Sequence, residues 1–414
     1  MSEQKKRGLA TRIVHADSKF GVEHNAIRKP IHNSVQYGFD KVEDLIGVFQ
    51  GTTKNAFNYS RTGTPTTAAL EAKLTQLEEG FGSVCYSSGM GAISAAFLTM
   101  LKAGDQMVSG RYVFAGTNSL FGTMRDFGID VATVDTCKVA NVEAALKPNT
   151  RMVFVETIAN PGTEVPDLAA IGELCARRGI LYVIDNTITS PALFLPRRVK
   201  AGLSINSLSK TISGHGVALG GVVTDTGLFD WQTYPNISPD YRKGDPRMWG
   251  LQQLRKKGLR DIGACLSSDS ASQIGIGAET LALRIKQTSS NAMALAKFLE
   301  SHPDVGRVNY PGLESHAQYA IAREHFREPS WLLSFEVKDL SNLLPAMNRL
   351  QVASRATGMG DTRTLVIPVA PSIYYEAGPE ARALMNVTDG LVRVSVGVEE
   401  IEDLLEDFDQ ALRG

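Results

Sequence analysis

Long apolar runs and clustered cysteines are both missing from this 414-residue sequence. No apolar run approaches the roughly 18 residues that a membrane-spanning helix needs. The N-terminal segment MSEQKKRGLATRIVHADSKFG is polar and lacks the apolar core of a secretory signal peptide. The cysteines lie far apart, without a CxxC pair: Cys85, Cys137, Cys175 and Cys265. This spacing argues against a disulfide framework and favours buried free thiols in a reducing cytoplasm, with no membrane partner.

A large net charge of either sign is missing too. Lys and Arg number 43 against 44 Asp and Glu, which gives a net charge of −1, and no basic tract is longer than a few residues. This distribution argues against a nucleic-acid partner. There is no internal repeat and no low-complexity segment. The composition, 43% hydrophobic and 21% charged, is that of a globular protein, and the length predicts two or three domains.

Short apolar runs alternate with segments of helical spacing from Thr64 onward. Pro65 suits the first turn of a helix capped by Thr64. The other helices in this part are predicted near 91–101 and 167–178. The apolar runs predict strands at 83–86, 106–109, 131–134, 152–156, 181–185, 204–207 and 220–224. Strands alternating with helices indicate an α/β domain with a mostly parallel sheet, since parallel neighbours need crossover connections.

The rest of the chain divides around this domain. We expect an extended N-terminal arm over 1–60, a large domain over 61–265 and a smaller C-terminal α/β domain over 266–414. Within the large domain, residues 225–265 are irregular, and are either an ordered loop beside the site or a flexible linker. The C-terminal domain is expected to contain helices at 270–301 and 399–412 and strands at 307–309, 332–337 and 391–395.

Three strand-to-helix junctions contain residues that suit one chemistry, and ligands collect at such junctions in α/β sheets. The first, Ser87-Ser88-Gly89-Met90-Gly91, lets backbone N–H groups approach an anion at a helix N-terminus. A turn that needs glycine only for packing is the alternative. The second is an apolar run that ends in Asp185. This acid is either a cap or turn former, or a carboxylate that keeps a cofactor ring nitrogen protonated.

The third junction contains Lys210 within Ser207-Leu208-Ser209-Lys210-Thr211. A lone lysine is usually a solvated surface charge. Here it follows an apolar segment and has hydroxyl side chains on both sides. A lysine partly withdrawn from water has a lowered pKa, which suits Schiff-base chemistry with a carbonyl cofactor.

Taken together, these junctions resemble the Cys/Met-metabolism family of pyridoxal 5′-phosphate (PLP) enzymes, which have the aminotransferase-like fold type I. The resemblance covers nearly the whole chain. It rests on YSRTGTPT at 59–66, SSGMGAI at 87–93, ETIANP at 156–161, VIDNT at 183–187, SLSKTISGH at 207–215 and VRVSVGVE at 392–399. The family includes cystathionine γ-synthase, cystathionine and methionine γ-lyases, and O-acylhomoserine sulfhydrylases.

The resemblance implies a role for each matched residue. Lys210 would hold PLP as a Schiff base and move protons, and Asp185 would pair with the pyridine nitrogen. The other cofactor-binding residues would be Ser88, Gly89, Met90, Asn160, Thr187, Ser207 and Ser209, together with Tyr59 and Arg61 from the neighbouring subunit. The substrate α-carboxylate would be bound by Arg393, with Thr357 beside it. A homodimer or homotetramer with shared active sites would follow.

The chain departs from the family on the substrate side. Phe114 stands where the family has a ring-stacking tyrosine, so it can stack but cannot transfer a proton. Gly116 replaces the cysteine of methionine γ-lyases, which argues against that activity. Residues 355–358 replace a Ser-Leu-Gly motif, and 359–375 and 268–272 also differ. His215 and Tyr112 are either acid/base groups or structural residues, and the structural interpretation is the commoner one for His215. Asp361 and Glu376 either meet a cationic substrate or are surface carboxylates, which are commoner.

These features predict PLP-dependent γ-elimination or γ-replacement on a γ-substituted homoserine-type L-amino acid. An oxygen leaving group suits Phe114, so acylhomoserine or canavanine is expected. The alternatives are a methionine or cystathionine γ-lyase or β-lyase, or another fold-type I enzyme such as an aminotransferase. A cofactor-free α/β protein would differ from all of these by binding no PLP.

Overall fold

A computed structural model describes residues 7–17, 23–53 and 56–413 of the chain, and within them the chain forms a seven-stranded and a five-stranded sheet. The larger sheet has the strand order β1-β7-β6-β5-β4-β2-β3. Its strands β1 to β7 are Gly82–Tyr86, Gln106–Gly110, Asp130–Val134, Thr150–Glu156, Leu181–Asp185, Leu203–Ser207 and Gly221–Asp225. Strands β3, β2, β4, β5 and β6 are mutually parallel, whereas β7 is antiparallel to both β6 and β1. The predicted mostly parallel sheet is confirmed.

Burial explains why these strands could be read from the sequence. Every residue of β5 is buried, and so is every residue of β2 and β7. Parallel strands covered by helices on both faces are continuous apolar runs. Each predicted strand therefore appears within two residues of its expected bounds.

Helix α3, Pro65–Leu77, precedes β1. Helices α4 to α8 connect the strands from β1 to β6 and are Gly89–Met100, Ala115–Asp126, Val139–Ala145, Leu168–Arg178 and Ser190–Leu193. The predicted cap of α3 is confirmed, since the Thr64 hydroxyl accepts a hydrogen bond from the Thr67 N–H. Ser88 caps α4 and Asp167 caps α7 in the same way. These caps fix the start of each helix against the sheet edge.

The C-terminal part folds around the second sheet, whose strand order is β10-β11-β12-β9-β8. Strands β8 to β12 are Val305–Asn309, Leu332–Val337, Ser354–Arg355, Leu365–Pro368 and Leu391–Ser395. Helices α10 to α15 are Ser268–Glu279, Leu281–Ser301, Tyr319–His325, Leu340–Arg349, Gly378–Leu384 and Ile401–Arg413. A smaller α/β unit is confirmed. The expected domain boundaries near residues 60 and 265 stay predictions.

Several local expectations were wrong. The expected extended arm contains α1 (Leu9–His15) and α2 (Val42–Gln50), while its residues 1–6, 18–22 and 54–55 lie outside the described residues. The segment 225–265 contains α9 (Trp249–Gln253), which continues as a π-helix over Leu254–Asp261. The expected helix over 270–301 is two helices separated at Thr280. Strands β10 and β11 were missed because they are only two and four residues long.

The four cysteines are free thiols, as expected. Cys85 and Cys175 are buried, but Cys137 is half-buried and Cys265 is exposed, so the expectation of buried thiols was wrong for Cys265. In the described part of the chain, no helix combines the length and the apolar character that crossing a bilayer requires.

Candidate active site

A cavity of about 260 Å³ lies at the carboxyl ends of β4, β5 and β6. Most of the residues predicted for the site line it: Ser88, Gly89, Met90, Phe114, Asn160, Asp185, Thr187, Ser207, Ser209 and Lys210. Further lining residues are Ile93, Glu156, Ile188, Leu219 and Met359. The three junctions singled out in the sequence therefore meet at one place, because the carboxyl ends of adjacent parallel strands share one sheet edge.

The N-terminus of α4 forms a cradle on one side of the cavity. The Ser88 hydroxyl accepts a hydrogen bond from the Gly91 N–H at 3.0 Å, which turns the chain into the helix. A Cβ on Gly89 would lie 2.7 Å from the Ser207 Cβ, and one on Gly221 would lie 2.0 Å from the Ser88 carbonyl oxygen. The backbone thus approaches β6 and β7 too closely for any larger residue. Free N–H groups at a helix N-terminus, with serine hydroxyls beside them, suit a phosphate group.

Two buried carboxyl groups lie side by side beyond this cradle. Asp185 ends β5, and its register partner Glu156 ends β4. Asp185 accepts a hydrogen bond from the Thr187 N–H at 2.9 Å, and Glu156 accepts one from the Phe114 N–H at 2.6 Å. Burial raises the pKa of both carboxyl groups, and the charge of Asp185 raises the pKa of Glu156 further. Such a pair favours one ionised and one neutral carboxyl group.

Lys210 reaches the cavity from the turn that follows β6. Burial is the main cause that lowers the pKa of its amine, and the charge of Arg393 lowers it further, while Asp185 opposes both. The turn itself is fixed by Arg284 of α11, which donates hydrogen bonds to the carbonyl oxygens of Thr211 at 2.7 Å and Ile212 at 3.3 Å. A positioned amine with a lowered pKa is suited to attack a carbonyl carbon.

Arg393 lies behind the cavity wall, on β12, and is only 1% exposed. Its Nη2 donates to the carbonyl oxygens of Thr357 at 2.9 Å and Gly358 at 3.0 Å, and its Nη1 lies 3.5 Å from the Asn160 Oδ1. Burial lowers the pKa of this guanidinium to about 10. The structure therefore brings Arg393 and Thr357 together beside Asn160, although neither lines the cavity itself.

Tyr59 and Arg61 lie away from the cavity of their own chain. The Arg61 Nη1 donates to the Arg260 carbonyl oxygen at 2.9 Å, and its guanidinium lies 5.3 Å from the centroid of the Tyr59 ring. Both side chains are exposed. Within one chain, Tyr59 and Arg61 are therefore separated from the other predicted cofactor-binding residues.

The four side chains whose role the sequence left open also lie elsewhere. His215 is exposed, with its Nδ1 at 2.7 Å from the Ser213 carbonyl oxygen. Tyr112 lines a separate cavity of about 680 Å³. Asp361 pairs with Arg363 at 3.2 Å. Neither these residues nor Glu376 line the 260 Å³ cavity.

Glu156 is a polar lining residue that was not among the site residues predicted from the sequence. It begins the ETIANP segment, and its position after an apolar run is the same signal that pointed to Asp185. Met359 and Leu219 were missed as well, since apolar residues in irregular segments have no periodic pattern. The lining is consequently more apolar than the motifs alone suggested.

The cavity combines a phosphate cradle, a buried acid and a half-buried amine, and these fit PLP. The fold and site define a PLP enzyme of fold type I. The model of Cys/Met metabolism PLP-dependent enzymes matches residues 10–413, and the chain belongs to this family. PLP is therefore its cofactor, and the protein is an enzyme of the γ-lyase and γ-synthase class of amino-acid metabolism.

Similar proteins agree with this assignment. L-Methionine γ-lyase of Fusobacterium nucleatum subsp. polymorphum is 36% identical over 99% of both chains. Homocysteine synthase of Schizosaccharomyces pombe is 34% identical over 96% of both chains. The structure of a putative O-acetylhomoserine (thiol)-lyase from Campylobacter jejuni, which contains a pyridoxyl-lysine phosphate, has a TM-score of 0.93 at 28% identity, covering 99% of this chain and 100% of that one.

The two neighbouring carboxyl groups should respond differently to neutral substitution. Asp185→Asn keeps the acceptor for the Thr187 N–H but removes the charge that balances a cationic ring nitrogen. We expect it to weaken PLP binding roughly 100-fold or more, because unpairing a buried charge costs about 3–5 kcal/mol. Glu156→Gln keeps the acceptor for Phe114 and replaces a neutral acid, so PLP binding should change less than about threefold. The measurement is a fluorescence titration of each apoenzyme with PLP.

Proposed function

We propose that the protein catalyses γ-elimination or γ-replacement on a γ-substituted homoserine-type L-amino acid with an oxygen leaving group. The observation that carries this proposal is Phe114. It lines the cavity, is 43% exposed and is anchored through its backbone to Glu156, yet it has no hydroxyl group to protonate a departing atom. An acyl ester or an oxyguanidine departs with less help than a thioether does. Acylhomoserine and canavanine are therefore the preferred substrates.

The proposed mechanism assigns each step to a residue of this chain. PLP, when bound, supplies an electron sink for negative charge beside the α-carbon. Arg393 binds the substrate α-carboxylate, whose charge replaces part of the hydration that the buried guanidinium has lost. Lys210, with its lowered pKa, takes the α-proton and, once it has passed that proton on, takes a proton from the β-carbon. The electron pair left at the β-carbon expels the γ-substituent. Asp185 keeps its negative charge against the ring nitrogen.

A second candidate is γ-elimination from L-methionine. The 36% identity to an L-methionine γ-lyase favours it. Against it stand Phe114 and Gly116. A Cβ on Gly116 would lie 2.7 Å from the Phe114 Cε1, so a cysteine at this position would displace the ring. The relatives include both lyases and synthases, which supports either elimination or replacement at the γ-carbon.

We also propose a homodimer or homotetramer in which Tyr59 and Arg61 complete the phosphate site of the neighbouring subunit. Both lie outside their own cavity, although they are among the residues that the family resemblance assigns to the phosphate. The segment that precedes them has exposed apolar side chains at Ile27, Val42 and Phe49, which suits burial against a second copy.

The free thiols support the expected cytoplasmic location.

A substrate panel tests the reaction. The holoenzyme is assayed with acylhomoserine plus sulfide or cysteine, canavanine, methionine and cystathionine, and keto acid, homoserine and thioether products are scored separately. We expect kcat/KM for an oxygen-linked substrate to exceed that for methionine at least about tenfold, and Phe114→Tyr to raise the value for methionine about tenfold or more, since a general acid contributes roughly 100- to 10,000-fold. Lys210→Ala should abolish all turnover.

Methionine as the best substrate of the wild-type enzyme would contradict the assignment of the leaving group. Full turnover in Lys210→Ala would contradict the mechanism as a whole. An α-keto acid acceptor that is converted to an amino acid would instead indicate an aminotransferase.

Complementation tests the shared site. Chains with Lys210→Ala and chains with Arg61→Ala are co-expressed with different tags, and the mixed oligomers are isolated. Each mixed pair contains one site with both residues intact, so it should regain about half the wild-type activity if the interface is symmetric. Mixed oligomers as inactive as the two parents would show that Arg61 serves its own chain.

A further inference from the structure

A buried phenol, Tyr374, contacts the candidate active site from the C-terminal part of the chain. It is 3% exposed and lies between β11 and α14, in the stretch 359–375 that departs from the family pattern. Its N–H donates to the Val369 carbonyl oxygen at 3.2 Å. Its ring packs in a small apolar cluster with Val369, Ala370, Val387 and Leu391. The side chain is therefore firmly held before any ligand binds.

The Tyr374 hydroxyl donates a hydrogen bond to the Asn160 carbonyl oxygen at 3.3 Å. Among the tyrosines of the described residues 7–17, 23–53 and 56–413, Tyr374 is the only one whose hydroxyl forms a hydrogen bond with a residue of the cavity wall. Burial is the main cause that raises the pKa of Tyr374, and the charge of Glu156 raises it further while Arg393 lowers it. The phenol thus stays a neutral donor close to Glu156 and Arg393.

Asn160 connects this phenol to Arg393. Its carbonyl accepts from Tyr374, while its side-chain Oδ1 lies 3.5 Å from the Arg393 Nη1. The Arg393 Nη2 is already used by two backbone carbonyls, and its Nε is buried without a partner among the described residues. The Nη1 is therefore the end of the guanidinium that faces the cavity wall, and Asn160 determines its surroundings.

The loop that contains Asn160 needs to be held from outside. Thr163, three residues further on, has a backbone φ of +63°, which is unfavourable for a β-branched residue. Such a conformation persists only where neighbouring contacts fix it. Thr163 itself is held by its N–H, which donates to the Ala159 carbonyl oxygen at 3.1 Å, and by its Oγ1, which lies 3.3 Å from the His316 Nε2. The Tyr374 hydroxyl holds the same loop at Asn160, the residue that touches Arg393.

We propose that Tyr374 is a positioning residue for recognition of the substrate α-carboxylate. It holds the Asn160 main chain, so that the Asn160 side chain keeps the Arg393 Nη1 directed at the cavity. The inference rests on the proposed role of Arg393 in binding that carboxylate. It also gives a function to one residue of the segment in which the chain departs from its family.

Tyr374→Phe removes the hydroxyl and leaves the ring in its apolar cluster. The probe is L-norvaline, an α-amino acid without a leaving group, and its dissociation constant from the holoenzyme is read from the visible absorbance of the bound cofactor. We expect binding to weaken roughly fivefold, as for the loss of one hydrogen bond. Butylamine, which lacks the carboxylate, should bind equally to both enzymes. Affinity of the apoenzyme for PLP should also be unchanged.

Tyr112→Phe is the matched control, because the Tyr112 hydroxyl contacts the Asn386 side chain at 3.4 Å, outside the site. It should bind L-norvaline like the wild type. Equal L-norvaline binding by Tyr374→Phe and the wild type would overturn the proposal, and so would an equal loss of butylamine binding. Arg393→Gln distinguishes a failure of the proposed carboxylate site from a failure of the proposed role of Tyr374. If it leaves L-norvaline binding intact, the proposed carboxylate site fails and the role of Tyr374 fails with it. If only Arg393→Gln weakens binding, the role of Tyr374 alone is wrong.

Discussion

The site depends on one constraint: ionisable side chains at one edge of the large sheet are removed from water. Burial raises the pKa values of Asp185 and Glu156 and lowers those of Lys210 and Arg393. Every one of these groups has lost hydration that the others only partly replace. In the roles that we propose, PLP and an amino-acid substrate bring complementary groups: a cationic ring nitrogen for Asp185, a carbonyl carbon for Lys210 and a carboxylate for Arg393.

The fold makes this arrangement possible by bringing backbone segments unusually close together. Gly89 and Gly221 allow α4, β6 and β7 to meet without side chains between them, and this contact places the α4 N-terminus at the cavity. Arg284 ties the turn after Lys210 to α11 through backbone carbonyls. Gly221 and Arg284, which do not line the cavity, thus help to determine where the amine and the phosphate cradle lie relative to each other.

The sequence predicted the parts of the site that lie on buried strands. Asp185 and Lys210 follow apolar runs, and such runs are easily recognised as strands. Glu156 has the same signal but was assigned no role, since only its pairing with Asp185 across β4 and β5 shows that the two acids interact. The helix over Trp249–Gln253 was hidden by the Pro- and Asp-rich residues before it. Short strands such as β10, and the contact between Tyr374 and Asn160, depend on tertiary packing that no local pattern encodes.

We propose that Lys210 binds the cofactor, because its surroundings make it the amine best suited to do so. The most direct measurement is reduction of the holoenzyme with borohydride, followed by proteolysis and mass spectrometry of the peptides. We expect one pyridoxyl-modified lysine, at position 210, and no fixed cofactor in Lys210→Ala. Modification of another lysine, or a holoenzyme that yields no modified peptide, would contradict it.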